Sequence, residues 1–217
     1  TNDAEGFINT SRKLQQLGYS EVNLNLGCPA KTVVSKNRGS GFLAKREELD
    51  SFLDEIFKMD DMKISIKTRI GKENPEEFYE LIKIYNKYPL EELIIHPRTQ
   101  KDFYGNKPNL CVFRDALSLS NNPVCYNGDI FTINDYNKLV ADFPEVNTVM
   151  LGRGILANPG LINVIKNNIN TSKNILKDFH DEILNRYIEV FPEDIYAINR
   201  MKELFGYMIY IFSDNKE

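Results

Sequence analysis

Residues 23–34 read NLNLGCPAKTVV. An apolar run that enters at Val22 stops at Gly27 and delivers a cysteine between that glycine and Pro29. VNLNL (22–26) has strand composition, and Gly-Cys-Pro is a terminator of it, so Cys28 is expected at the C-terminal tip of a strand.

The same pattern recurs downstream. KISIK (63–67), LIIH (93–96), PVCYN (123–127) and TVML (148–151) are short apolar runs, each closed by Gly, Pro or polar residues. Helical periodicity lies between them. From Arg46 to Lys58, Leu49, Phe52, Leu53 and Ile56 share one face, and from Pro75 to Asn86, Phe78, Leu81, Ile82 and Tyr85 do. Asn74 is the expected N-cap of the second helix, with Pro75 at its first position. Residues 132–141 predict a third helix and Asn158-Pro159 opens a fourth. A further helix is expected from Thr1 to Leu17, ending at Gly18. Alternation of this kind predicts right-handed βαβ units and a parallel α/β sheet. Past about residue 172 it gives way to two amphipathic helices, roughly 174–190 and 194–212, read as a helical appendage. The expected domains are therefore 1–171 and 172–217. Periodicity leaves open a doubly wound sheet or part of an eight-stranded barrel; in a barrel the chemistry collects at the C-terminal strand tips.

Composition bounds the classes. The chain has 217 residues, 42% hydrophobic and 27% charged, the balance of a soluble globular protein. No apolar run approaches membrane-span length. Three cysteines without CxxC spacing and two histidines argue against a disulfide or zinc framework and fit a reducing cytoplasm. A net charge of −4 argues against a general nucleic-acid binder. Locally, however, Lys31, Lys36, Arg38, Lys45 and Arg46 fall between Ala30 and Arg46 with no acid among them. Such a stretch can meet phosphates or simply be a solvated loop.

The strand tips carry polar residues in series: Gly27-Cys28-Pro29, Lys67 followed by Arg69, His96-Pro97-Arg98-Thr99-Gln100, Asn127-Gly128-Asp129, and Gly152-Arg153-Gly154. Glycines admit close backbone approach, and Arg153 supplies a fork suited to phosphate, so the last two tips read as an anion site. The plainer reading is two Gly-containing turns with a surface arginine. Lys67 interrupts a strand of isoleucines; a buried ammonium needs an anion or strong acceptor, unless it snorkels out. His96 and Arg98 are expected at the barrel mouth, where an imidazole can polarise a ligand, although a lone histidine also serves structure. Cys111 and Cys125 read as packing residues and His180 receives no role.

NLNLGCPAKTV, SIKTRIG, IIHPRTQKDFYGN, NGDI and GRGILANPGL, in this order and spacing, resemble the tRNA-dihydrouridine synthases, FMN-dependent barrel enzymes. The resemblance runs from about residue 4 to 170, and the helical tail looks like that family's tRNA-binding helical domain. It implies that NADPH reduces FMN, that hydride passes to C6 of a tRNA D-loop uracil, and that Cys28 protonates C5. A free thiol titrates at roughly 8.5 and is mostly protonated at neutral pH, which suits that step. The resemblance further implies FMN contacts from Lys67, Asn127, Gly128, Asp129, Gly152 and Arg153. It places His96 beside flavin and substrate and Asn25 against the uracil. Lys31, Arg38 and Arg98 are the expected tRNA contacts; no metal is expected. The family's Ala-Pro-Met first strand, and a glutamine near the end of its third, do not occur here. VNLNL is then the fourth strand, and the chain is expected to hold strands 4–8 of a partial TIM (β/α)8 barrel from a longer product. A flavin barrel acting on free pyrimidines, of the dihydroorotate dehydrogenase type, is the nearest rival, and a non-catalytic RNA-binding barrel remnant is another.

Overall fold

The computed structural model describes residues 1–59 and 61–212. Its chain order is α1 (Ala4–Gln16), β1 (Glu21–Asn25), α2 (Lys31–Val34), a 3-10 turn (Gly39–Ala44), α3 (Arg46–Ile56), β2 (Lys63–Gly71) and a second 3-10 turn (Pro75–Glu77). Then follow α4 (Phe78–Tyr85), β3 (Leu93–Thr99), α5 (Leu110–Leu119), β4 (Val124–Asn127), α6 (Ile133–Asp142), β5 (Thr148–Met150), α7 (Arg153–Ala157), α8 (Leu161–Asn167), α9 (Lys173–Val190) and α10 (Asp194–Phe212). No described helix is long and apolar enough to cross a membrane.

Local chemistry explains most boundaries. Asp3 caps α1 by accepting from the Gly6 amide at 3.0 Å, and Gly18 closes the segment at φ +92°. Asn74 is the N-cap as expected, and the Glu77 side chain accepts from its amide at 3.0 Å, but the first turn after it is 3-10 rather than α. Thr132 and Asp135 form another box, starting α6. The opening at Asn158-Pro159 is corrected: α8 begins at Leu161, after a short α7. Helix α5, capped by Asn109, is one that the periodicity did not disclose.

All five strands are parallel and lie in the order β1-β2-β3-β4-β5. A doubly wound sheet reverses its order at a switch point; this one does not, which is the barrel sequence of neighbours. β2 and β3 run further than their apolar cores predict, to Gly71 and Thr99. His96 and Arg98 consequently lie within a strand whose seven residues are all buried. The basic stretch is also corrected: it is no simple loop, since Gly39–Leu43 are buried, while Lys31, Lys36, Arg38, Lys45 and Arg46 on either side are exposed.

The structure forms two compact units: Thr1–Gly128 with Val146–Met150, and Asp129–Glu145 with the residues from Leu151 on. The first contains the whole sheet. Its core is made by Leu49, Leu53 and Ile56 of α3, Phe78, Leu81 and Tyr85 of α4, Phe113 of α5, and strand residues Ile66, Leu93 and Ile95, all essentially inaccessible. Burial on this scale, at about 25 cal/mol per Å² of apolar surface, is what fixes the strands. In the second unit, α10 packs on α7 and on α9, and α6 on α8.

Candidate active site

Strand period two sorts the sheet residues onto two faces. On one face, Ile66, Thr68, Ile95 and Tyr126 turn toward the helices: Thr68 Oγ1 lies 2.9 Å from Tyr85 Oη, and Tyr126 meets the Phe113 ring edge-on. The registers Asn23↔Ser65, Asn25↔Lys67, Arg69↔His96 and Ile94↔Cys125 build the other face. Asn25, Lys67, His96 and Asn127 are thus brought to a single face, together with Asn23, Ser65, Arg69 and Cys125.

At the tip of β1, Asn25 Oδ1 accepts from the Gly27 amide at 2.9 Å, while the Asn25 amide nitrogen has no partner among the described residues. Cys28 is partly exposed. Its carbonyl accepts from the Ser40 amide at 3.0 Å and from Ser40 Oγ at 2.8 Å. Gly39 adopts φ +54°, and a Cβ there would stand 2.7 Å from the Cys28 carbonyl oxygen. The 3-10 turn thus needs glycine to approach the cysteine loop.

Arg69 is 1% exposed and was not assigned a role from sequence, although its alternation with Lys67 marks the face it shares. Nε donates to the Gly27 carbonyl at 2.9 Å; Nη1 donates to the carbonyls of Thr99 at 2.8 Å and Phe103 at 3.0 Å. One guanidinium so joins the tip of β1, the tip of β3 and the loop that follows. Tyr104 closes over it, with the guanidinium carbon 5.6 Å from the ring centroid.

Lys67 is half-buried and makes no hydrogen bond or ion pair among the described residues. Burial, and then the neighbouring Arg69 cation, lower its ammonium to about 8. Cys125, on the same face, is pushed up to about 11, chiefly by burial. It is buried as expected of a packing residue, yet it also borders the lysine. Asn127 Nδ2 donates to the Met150 carbonyl at 2.8 Å, tying β4 to β5. A Cβ on Gly128 would stand 2.1 Å from Tyr126 Oη, so this glycine admits a close approach.

Two expected tRNA contacts, Lys31 and Arg38, are exposed; Arg38 Nε donates to Asn2 Oδ1 at 3.0 Å. Arg98 is corrected. At 2% exposure its guanidinium is turned inward, with Nε donating to the Asn106 carbonyl and Nη1 3.0 Å from His96 Nε2. That burial removes it from the solvent side where a polynucleotide backbone would lie.

In the second unit, Arg153 Nη2 meets Asp129 Oδ1 at 2.6 Å, and its guanidinium lies 5.5 Å from the centroid of Phe131. Gly152, the N-cap of α7, is exposed, with open space where a Cβ would be. Gly154 is the tighter glycine: its Cβ would fall 2.0 Å from the Ile130 carbonyl oxygen.

The family model described as Dihydrouridine synthase (Dus) matches residues 1–213. Among curated relatives, the chain is 29% identical over 183 residues to tRNA-dihydrouridine synthase B of Pasteurella multocida, covering 82% of this chain and 54% of that protein. It is 27% identical over 205 residues to the tRNA-dihydrouridine(16) synthase of Vibrio parahaemolyticus, covering 89% of this chain and 61% of that one. The chain thus spans 54% to 61% of the length of these relatives. Among solved structures, histamine dehydrogenase from Rhizobium sp. 4-9 superposes with a TM-score of 0.56 at 12% identity, over 82% of this chain and 28% of that one. That likeness is one of fold, and the fold is a partial TIM (β/α)8 barrel followed by helices.

Proposed function

The chain belongs to the dihydrouridine synthase family, and on that premise we propose that it carries the reducing site of a tRNA-dihydrouridine synthase. In the proposed reaction the C5–C6 bond of a D-loop uridine in tRNA is reduced. The observation that carries the reading is Lys67: a half-buried cation with no acidic partner, among polar residues on the concerted face of a parallel sheet. A protein retains such a group where an electron-rich ligand completes it.

The residues present fit a flavin mononucleotide. Lys67 would hold the electron-rich edge of its ring, and Asn127 Oδ1, which has no partner among the described residues, adds an acceptor. Gly128 would let a backbone amide approach; for the second unit, the family resemblance gives Gly152 and Arg153 to the phosphate, and Arg153 is held by Asp129. Bound there and reduced by NADPH, FMN would supply a hydride for C6 of the uracil. Cys28 gives its thiol proton to C5, and Asn25, with an amide nitrogen left over, holds the base edge. His96 stands beside both. The target uridine leaves its stack to reach this face, at a cost of a few kcal/mol, and Lys31 and Arg38 would take neighbouring phosphates.

The test is to purify the full-length protein, record its flavin spectrum, and incubate it with NADPH and unmodified tRNA or free pyrimidines. Bound flavin and dihydrouridine in tRNA alone are expected. Reduction of free pyrimidine alone, or a colourless protein without activity, would overturn the reading.

A further inference from the structure

Arg98 and His96 sit two residues apart on β3 and both are buried, at 2% and 6% exposure. Alternation puts them on the same face, and Arg98 Nη1 lies 3.0 Å from His96 Nε2. A guanidinium has five N–H donors and no acceptor, and it does not deprotonate in proteins. At this contact the imidazole nitrogen must therefore accept. An imidazolium has donors at both nitrogens and cannot do so. The ring is then neutral, with its proton on Nδ1.

The arginine is itself held. Nε donates to the Asn106 carbonyl; Asn106 Nδ2 donates to Asp102 Oδ1; and Asp102 Oδ2 accepts from the amide and hydroxyl of Thr99, each at 2.8 Å. The loop after β3 thereby folds back onto the strand that carries His96. Arg69, its register partner on β2, and Tyr104, whose ring centroid is 6.0 Å away, also face the imidazole. Asp102 directs its carboxylate to Thr99 and Asn106.

We infer that Arg98 is a positioning residue: by donating to Nε2 it holds His96 as the neutral Nδ1–H form. The inference deepens the proposed function, on which its mechanistic meaning rests. In that reaction His96 is a neutral ring of fixed tautomer, beside the acid Cys28.

Long-range proton–nitrogen correlation spectra of the 15N-labelled full-length protein, with His96→Gln identifying the His96 signals by their loss, report the protonation of each ring nitrogen. Expected is an unprotonated Nε2 and a protonated Nδ1 on His96 throughout the range of about pH 6–8, in which a free imidazole changes charge. A protonated Nε2 in the wild-type protein, in either the neutral or the charged ring, overturns the inference. In Arg98→Met both neutral forms become populated and the ring titrates; a spectrum unchanged from wild type overturns the positioning role. Should that variant fail to fold, Arg98→Gln replaces it, since an amide can accept as well as donate and admits the Nε2–H form. There too an unchanged spectrum overturns the role. Flavin content and tRNA activity are read on the same samples. Inactivity with Nε2 unprotonated counts against the proposed function and leaves the tautomer standing.

Discussion

Arg69 Nε donates to the carbonyl oxygen of Gly27 at 2.9 Å, one residue before Cys28. The other arm of the same guanidinium holds Thr99 and Phe103, so the cysteine loop and the loop after β3 are anchored to one buried group on β2. Arg69→Met leaves the two buried carbonyls of Gly27 and Thr99, and the part-buried one of Phe103, without their donor and should lower stability by about 2–4 kcal/mol. A urea titration with a reduced midpoint and unchanged slope checks this. An unaltered midpoint would show that the carbonyls find other donors.

Gly39→Ala should act on the same loop from the opposite side. Its backbone lies at φ +54°, and the added Cβ would fall 2.7 Å from the Cys28 carbonyl. A left-handed position of this kind costs about 1–3 kcal/mol for a residue other than glycine. The expected signs are a lower melting temperature and a changed rate of Cys28 alkylation by iodoacetamide. Gly152→Ala, with open space around it, should leave stability unchanged.

Lys67→Met should stabilise the folded protein while weakening flavin binding. Burial lowers the ammonium to about 8 in the folded state, below its value of 10.5 in the unfolded chain. The unfolded state therefore binds the proton more tightly, and the charge opposes folding at all pH values below about 8. As pH rises from about 8 to about 10.5 that cost is lost, so the advantage of Lys67→Met over wild type should narrow across this window. Denaturation at pH 7 and pH 10 measures it; a constant difference would refute the buried charge.

Cys28→Ala, in the full-length enzyme, should remove most dihydrouridine formation while retaining flavin. Near-normal turnover would show that another group protonates C5. Because Cys28 is partly exposed and its loop is held by backbone contacts, the substitution should cost little stability.

Arg153→Ala should release flavin on desalting, read as lost absorbance at constant protein. Asp129→Asn keeps a hydrogen-bond acceptor for Arg153 but removes the charge, and should give an intermediate loss. Full flavin retention in both variants would place the phosphate elsewhere.

The amino-acid sequence by itself determined the strand–helix alternation, because period-two and period-3.6 patterns and their Gly/Pro stops are local, although it stopped β2 and β3 short of Gly71 and Thr99. It also made Cys28, Lys67, His96, Asn127 and Arg153 legible as residues that packing alone does not require in or just after an apolar strand. Tertiary structure decided the rest. The consecutive strand order and the registers Asn25↔Lys67 and Arg69↔His96 depend on pairing across about forty and about thirty residues, which no local pattern encodes. Sequence could not distinguish Arg98, taken as a tRNA contact at the barrel mouth, from Arg69, given no role, since both are cations that follow an apolar run. Burial separates them from the exposed Arg38: a guanidinium withdrawn from water must find carbonyls or an imidazole, and those acceptors are supplied by segments that only the folded chain brings within 3.0 Å.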